Sequence, residues 1–293
     1  MVERRSLGEK VFDSANVLFL FLLSFAFLYP MWYVLVASLS DGAAIAAGKV
    51  NLWPVGLNFD AYRRVLQNPS IWTAYQNTLI YVTVGTLINL LLTTLGAYPL
   101  SRSDFYGQTV FMGLILFTMF FSGGLIPAYL NIRELGLYNS RWALLLPPGV
   151  SVFNLLVMRT FFQTTIPESL IESAKIDGAS EYRILWSIIL PLAKPVLAVM
   201  VLFYAVGHWN SWFGALIYLR DRSLYPLQLI LREILIQASM AEMTGGVATR
   251  EIQTVADAVK YATIVVSTLP VLMIYPFLQK YFVKGVMIGA VKQ

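Results

Sequence analysis

The charged residues best placed to do chemistry crowd into residues 164–195, where Glu168, Glu172, Lys175, Asp177, Glu181, Arg183 and Lys194 interrupt an otherwise apolar chain. The spacing suits docking better than bond-making. Thr165-Ile166-Pro167-Glu168 has the S/T-x-x-E form of a capping box with Pro in the first turn, so a short helix is predicted from near Ile166. Gly178 would end it, because a glycine just past a helix adopts the left-handed turn most cheaply. Ala179-Ser180-Glu181 then opens a second short helix, running to Leu190 before Pro191. The expected product is helix, bend, helix. Catalytic alternatives are thin: the chain has no Cys and one His, His208, which removes disulfides, iron–sulfur clusters and a His/Cys zinc site. No catalytic residue and no metal site is assigned.

The elements that must position this segment are set by the solvent. With 58% hydrophobic and 13% charged residues and a mean hydropathy of +0.67, the chain departs from soluble composition towards lipid. Six windows approach the roughly 20 apolar residues that a helix needs to cross a bilayer core: 17–39, 79–100, 110–130, 142–162, 196–219 and 261–283. The fold class is therefore an all-α polytopic membrane protein with six transmembrane helices. It divides into an N-terminal segment 1–16, a membrane domain 17–283 containing the 164–195 loop, and a tail 284–293. Six crossings place both termini on one side, and Arg4, Arg5 and Lys10 before the first window put that side in the cytoplasm. The remaining charges are less decisive, since the cytoplasmic segments hold only about half of the 21 basic residues. A cleaved signal peptide is the rival reading of the first window, but its apolar run exceeds a signal core. The net charge of +5 makes no continuous basic stripe, which argues against nucleic acid.

Three connections are expected outside, near 40–72, 131–141 and 220–260. The last carries a helix-like piece, Leu227 to Ala238, a Gly-bearing tip at Gly245-Gly246, and an amphipathic return from Arg250 to Lys260. No nucleotide-binding G-x4-G-K-[ST] loop is present: Gly42 to Gly48-Lys49 has the wrong spacing and is followed by Val50. Any ATPase must sit on another chain. A proton- or sodium-coupled carrier is disfavoured because the six windows hold Arg159 and Lys280 but no Asp or Glu. Breaks are expected at Pro30, Gly123-Gly124, Pro147-Pro148-Gly149, Pro270 and Pro276.

Glu172, Ala174, Asp177, Gly178, Ala179, Ile188, Leu190, Pro191 and Pro195 fall in the order and spacing of the coupling-loop signature of ABC importer permeases, with Ser173 where a second Ala is preferred. The chain resembles that family over most of its length. Trp209-Asn210-x-x-Phe213 and the tail Lys284-Gly285-Val286 with Gly289-Ala290-Val291-Lys292 resemble its carbohydrate branch, and the whole is similar to the second permease of maltose- or alginate-type importers. The resemblance implies a type I importer permease in a bacterial cytoplasmic membrane, moving an oligosaccharide by alternating access. It further implies a heterodimer with a second homologous permease, a dimer of ATPase subunits holding the ATP and Mg, and an extracytoplasmic solute-binding protein; this chain itself binds no cofactor. Glu172, Ala174, Asp177, Gly178, Ala179 and Pro191 would then couple to the ATPase. Gln237, Glu242, Gly245, Gly246 and Gln253 would touch the binding protein.

A sugar path should offer hydrogen-bonding groups and aromatic faces. The main candidates are Asn154, Tyr204, His208, Trp209, Asn210 and Trp212, with Asn77, Asn89, Thr93, Thr94 and Ser122 as further polar span residues. Each also has a plain structural use, since Ser, Thr and Asn join helices in lipid and aromatics form interfacial belts.

Overall fold

A computed structural model of the chain describes residues 7–243 and 256–273. In chain order the helices are α1 (Leu7–Ser38), α2 (Gly42–Ala46), α3 (Asp60–Gln67), α4 (Pro69–Ser101), α5 (Gln108–Phe120), α6 (Leu125–Glu134), α7 (Trp142–Leu145) and α8 (Val152–Thr165). They continue as α9 (Glu168–Ile176), α10 (Glu181–Ile184), a π-helical turn (Leu185–Ile189), α11 (Leu190–Leu192), α12 (Lys194–Trp209), α13 (Phe213–Tyr218), α14 (Leu227–Met243) and α15 (Ala256–Met273). No strand occurs among the described residues. The described residues form two compact units, one from 7–68 with 231–243 and 256–269, the other from 69–230 with 270–273.

In the first unit, α1 is apolar along most of its length yet buries only Val36, Ala37 and Ser38. Such a helix is solvated by hydrocarbon and satisfies its own backbone. Its C-terminal end is pinned by polar contacts. Trp32 Nε1 donates to the Leu52 carbonyl at 2.9 Å, Ser38 and Tyr62 hydroxyls pair at 2.7 Å, and the Val55 N–H donates to Ser40 Oγ at 3.2 Å. Tyr33 meets the α15 ring of Tyr261 edge-on at 5.8 Å. Pro30 lies inside an unbroken helix rather than at the expected break, and so does Pro270; Pro276 lies outside the described residues.

In the second unit, α4 is the axis on which α8 and α12 pack. Its buried stripe, Asn77, Tyr81, Gly85, Asn89, Thr93 and Ala97, recurs every four residues and is small or polar, while Leu79, Leu87, Leu91 and Leu95 stay exposed. This is the inverse of a soluble helix. Small and hydrogen-bonding side chains let helices approach closely where hydrocarbon already solvates leucine.

Three of the six hydropathy windows are broken. Gly124, at φ +85°, turns the chain between α5 and α6, which meet at 114°. Pro147-Pro148-Gly149 divides the 142–162 window into α7 and the 14-residue α8, too short for the core on its own. The 196–219 window divides at 210–212 between α12 and α13. Thus three described helices are long and apolar enough to cross a membrane, five if each bent pair is one span. Boundaries shift too: α4 starts ten residues before Leu79, and α15 begins by Ala256 rather than Tyr261, with the end of that window outside the described residues.

Candidate functional site

The 164–195 segment folds as helix, bend, helix. Pro167 is the N-cap of α9, two residues later than the capping box suggests, and no side chain caps that end. The far end closes fully: the Gly178 N–H donates to the Lys175 carbonyl at 3.0 Å and the Ala179 N–H to the Ala174 carbonyl at 2.9 Å, with Gly178 at φ +77°. These are the paired bonds of a Schellman turn, which a left-handed residue permits. Ser180 caps α10, its Oγ accepting from the Arg183 N–H at 3.4 Å. The second helix does not stop at Pro191. It runs through the π-helical turn and α11 to Ala193, where the chain bends by 83° into α12. Pro191 is exposed, whereas Ala193 is fully buried, so close packing sets the corner.

One face of the bend is apolar and sealed. Ile171, Ala174, Ile184, Leu185 and Ile189 bury against Ala97, Leu100, Met158 and Phe162, with Ala179 packed at the edge. The opposite face presents Glu172, Asp177 and Gly178 to the surroundings. The coupling candidates therefore divide into an anchored set, Ala174 and Ala179, and an exposed set, Glu172, Asp177, Gly178 and Pro191.

Polar contacts tie the bend to the end of α4 and the turn after it. Tyr98 donates its hydroxyl to Glu181 Oε2, and Lys175 Nζ bonds Asp104 Oδ2 at 2.7 Å and Glu181 Oε1 at 2.9 Å. Ser103 donates to Glu168 Oε1 at 2.9 Å. The Lys175 ammonium holds Asp104 below the usual carboxylate range. Hydrogen bonds from Tyr98 and then Lys175 do the same for Glu181, and Asp104 and then Glu181 push Lys175 up. Sequence reading missed this clasp, since Tyr98 and Glu181 lie 83 residues apart.

Farther along α4, a cavity of about 870 Å³ is lined by Asn89, Ser151, Asn154, Tyr204, His208 and Ser211 among apolar groups. No charged side chain lines it. The walls are held by a hydrogen-bond relay. Asn89 Nδ2 donates to the Pro148 and Gly149 carbonyls at 2.6 and 2.9 Å, which leaves its Oδ1 as acceptor for His208 Nε2 at 2.7 Å. His208 thus carries its proton on Nε2. Thr93 Oγ1 and Tyr204 OH pair at 2.6 Å, and Tyr204 OH accepts from the Ser151 N–H at 3.2 Å.

Of the path candidates, Asn154, Tyr204 and His208 reach this cavity; Trp209, Asn210 and Trp212 do not line it. Trp209 is buried edge-on against Tyr75 at 6.3 Å, Asn210 is the exposed C-cap of α12, and Trp212 stands edge-on to Phe213. One residue along a helix is a turn of about 100°, so the residues after His208 rotate away from its wall. Asn89 was legible as a polar span residue; Ser151 and Ser211 carried no signal beyond being small and neutral.

The 220–260 connection starts from a fixed base. Asn77 Nδ2 donates to the Ser223 and Tyr225 carbonyls at 2.6 and 3.2 Å, Tyr81 OH to the Leu224 carbonyl at 2.7 Å, and the Leu227 N–H donates to Thr78 Oγ1 at 2.8 Å. Arg141 in turn donates to Asn77 Oδ1 at 3.0 Å. From this base α14 runs to Met243, five residues beyond the predicted end. Gln237 is exposed on it. Glu242 is in its last turn, and Gly245, Gly246 and Gln253 lie outside the described residues.

A helical bundle in lipid with a knob anchored on one side and a neutral cavity within is matched by known proteins. The family described as "Binding-protein-dependent transport system inner membrane component" matches residues 16–288. The chain belongs to that family. Among similar members, protein LplC of Bacillus subtilis (strain 168) is 40% identical over 97% of this chain and 95% of its own. The polygalacturonan/rhamnogalacturonan transport system permease protein YtcP of the same organism is also 40% identical, over 97% of this chain and 99% of its own. A solved chain from a bacterial ABC transporter involved in the import of the acidic polysaccharide alginate is 36% identical, with a TM-score of 0.86, covering 96% of this chain and all of that one. The fold is therefore that of a multi-pass inner-membrane permease.

Proposed function

We propose that this chain is the transmembrane permease subunit of an ATP-driven ABC importer for an oligosaccharide, working by alternating access. The observation that carries the reading is the two-faced 168–192 knob, sealed to α4 on one side and presenting Glu172, Asp177 and Gly178 on the other. A rigid projection of this kind suits a socket on a separate ATPase dimer that binds ATP and Mg, with Glu172 offering a carboxylate to a basic rim. Closure of that dimer would push the knob and, through the clasp, swing α4 with the helices packed on it. The amide, hydroxyl and imidazole groups of the cavity suit a solute rich in hydroxyls. The names of similar permeases, which concern polygalacturonan/rhamnogalacturonan, arabinooligosaccharides and maltodextrin, support the substrate class.

The reading places the knob and both termini in the cytoplasm, pairs this chain with a second homologous permease, and directs Gln237, Glu242, Gly245, Gly246 and Gln253 towards a solute-binding protein. The test is uptake by the complex reconstituted in vesicles. Labelled oligosaccharide should accumulate only with ATP on the knob side and binding protein on the other. Accumulation driven by a proton or sodium gradient without ATP would make the chain a secondary carrier instead. Because the chain has no native Cys, Ser180→Cys and Leu135→Cys report orientation directly. An impermeant thiol reagent outside intact cells should label the second and spare the first.

A further inference from the structure

The cluster around the coupling bend leaves one donor unsatisfied. Arg102 Nε is buried without a hydrogen bond; Asp104 Oδ1 stands 3.7 Å away, beyond bonding distance, and Arg102 Nη2 is 3.6 Å from Glu168 Oε1. A buried guanidinium donor without an acceptor is costly, and here the protein supplies none at bonding distance. Beside it is a cavity of about 390 Å³ lined by Tyr98, Arg102, Asp104, Phe105, Glu181 and Tyr182.

A second pocket shares one wall residue with this cavity. At Leu95 the cavity meets this nearly apolar trough of about 380 Å³ between Leu87 and Leu91 of α4 on one side and Trp186 and Leu190 on the other. Leu87, Leu91, Leu95 and Pro99 form one stripe along α4, and Arg102 follows just past the end of the helix. From Leu87 to Pro99 the stripe is about 18 Å long at 1.5 Å per residue, against about 15 Å for one leaflet of a 30 Å hydrocarbon core. The apolar trough itself, from Leu87 to Leu95, takes up about 12 Å of this, most of one leaflet, and meets the polar cavity at Leu95.

Charge selects the headgroup. Arg102 and Lys175 face the carboxylates of Asp104, Glu168 and Glu181, so the cluster already carries one excess negative charge. A purely anionic headgroup would add to that excess. A zwitterion would not: its phosphate can pair with the accessible part of the Arg102 guanidinium that lines the cavity, while its primary ammonium has carboxylates to bond and the rings of Phe105 and Tyr182 to lie against.

We infer that this trough binds one phosphatidylethanolamine of the leaflet on the knob side, its phosphate on Arg102 and one acyl chain along Leu87 to Leu95, wedged between α4 and the coupling bend. Assignment of that leaflet to the cytoplasmic face rests on the proposed function; the site itself does not.

The test uses the complete purified transporter in nanodiscs of equal phosphatidylethanolamine, phosphatidylcholine and phosphatidylglycerol. Native mass spectrometry after detergent washing should find one phosphatidylethanolamine held per copy of this chain. Leu95→Trp, which plugs the junction, and Arg102→Gln, which removes the phosphate partner, should each lower retention roughly tenfold, the scale of one charge-assisted hydrogen bond. A photoactivatable phosphatidylethanolamine in the unmodified complex gives a readout free of folding defects, and should label peptides containing Leu91 and Trp186. Equal retention by all three forms, preference for phosphatidylglycerol, or labelling confined to other helices overturns the site. So does efficient cross-linking of Leu91→Cys to the companion permease, which would show the trough covered by protein. A complex that retains the lipid but fails ATP-driven uptake sinks the transport reading alone; one that transports without retaining lipid sinks only this inference.

Discussion

Tyr98, in the last turn of α4, donates its hydroxyl to Glu181, the first residue of α10 beyond the coupling bend. The bond joins the helix that walls the cavity to the element proposed to meet the ATPase, and Lys175 closes the same group from α9. Tyr98→Phe keeps the ring in the core and removes only the hydroxyl. The lost bond to a charged acceptor should cost about 1–2 kcal/mol. The complex should still assemble and hydrolyse ATP at its basal rate, while stimulation by loaded binding protein falls several-fold. Undiminished stimulation would show that α4 follows the knob through apolar packing alone.

The same clasp fixes a pH window. Asp104 and Glu181 are held below their ordinary values, so their contribution is complete above the unfolded carboxylate range near pH 4 and disappears as pH falls through the depressed folded values. Lys175 is held above its ordinary value, so its contribution is complete below about pH 10 and is lost as pH rises through the folded value. Thermal unfolding of the complex should therefore show no clasp-dependent change between about pH 5 and 10. Comparison with Lys175→Met isolates the effect: the difference in melting temperature should stay flat across that range and shrink on either side. A difference that changes steadily from pH 6 to 8 would assign the dependence to other groups.

Gly178 is required by its backbone, not by crowding. A Cβ built there meets nothing within 4 Å, but φ is +77°. Within this chain the requirement is therefore one of conformation rather than of space. A β-branched residue should cost about 1–2 kcal/mol in the left-handed region, and Asn, which visits it more readily, should cost less. Stimulated ATPase activity should rank native, then Gly178→Asn, then Gly178→Val. Equal loss in both variants would instead point to contact with a partner at that position.

What the sequence disclosed, and what it did not, follows the range of each interaction. The bend was legible because Gly178 and Ser180 act on backbone groups within a few residues of themselves. The corner at Ala193 was not, because it is placed by close packing while the visible signal, Pro191, is tolerated early in α11. Hydropathy averaged over the breaks at Gly124 and Pro147-Pro148-Gly149, which their glycines and prolines marked, whereas the break at 210–212 has neither residue to mark it. The cavity was half visible. His208 and Asn154 stand out as polar residues in apolar helices, but that His208 faces Asn89 depends on the packing of α12 on α4.

The relay from His208 through Asn89 to the Pro148 and Gly149 carbonyls fixes the break between α7 and α8 in the cavity wall, and Gly85 makes room for it. A Cβ at Gly85 would overlap the His208 ring. Gly85→Ala should therefore displace the imidazole from Asn89 without removing any hydrogen-bonding group, while Asn89→Leu removes the donor itself and strands two carbonyls, at about 1–3 kcal/mol for each buried group left unsatisfied. Both variants should insert and bind the ATPase. Asn89→Leu should melt several degrees lower, whereas Gly85→Ala should lose uptake with a smaller change in melting temperature. The double variant Gly85→Ala with His208→Gln, whose side chain is narrower and still able to donate to Asn89, should recover part of the uptake. If the double variant is no better than Gly85→Ala alone, the glycine serves α4 packing and the relay is not what limits transport.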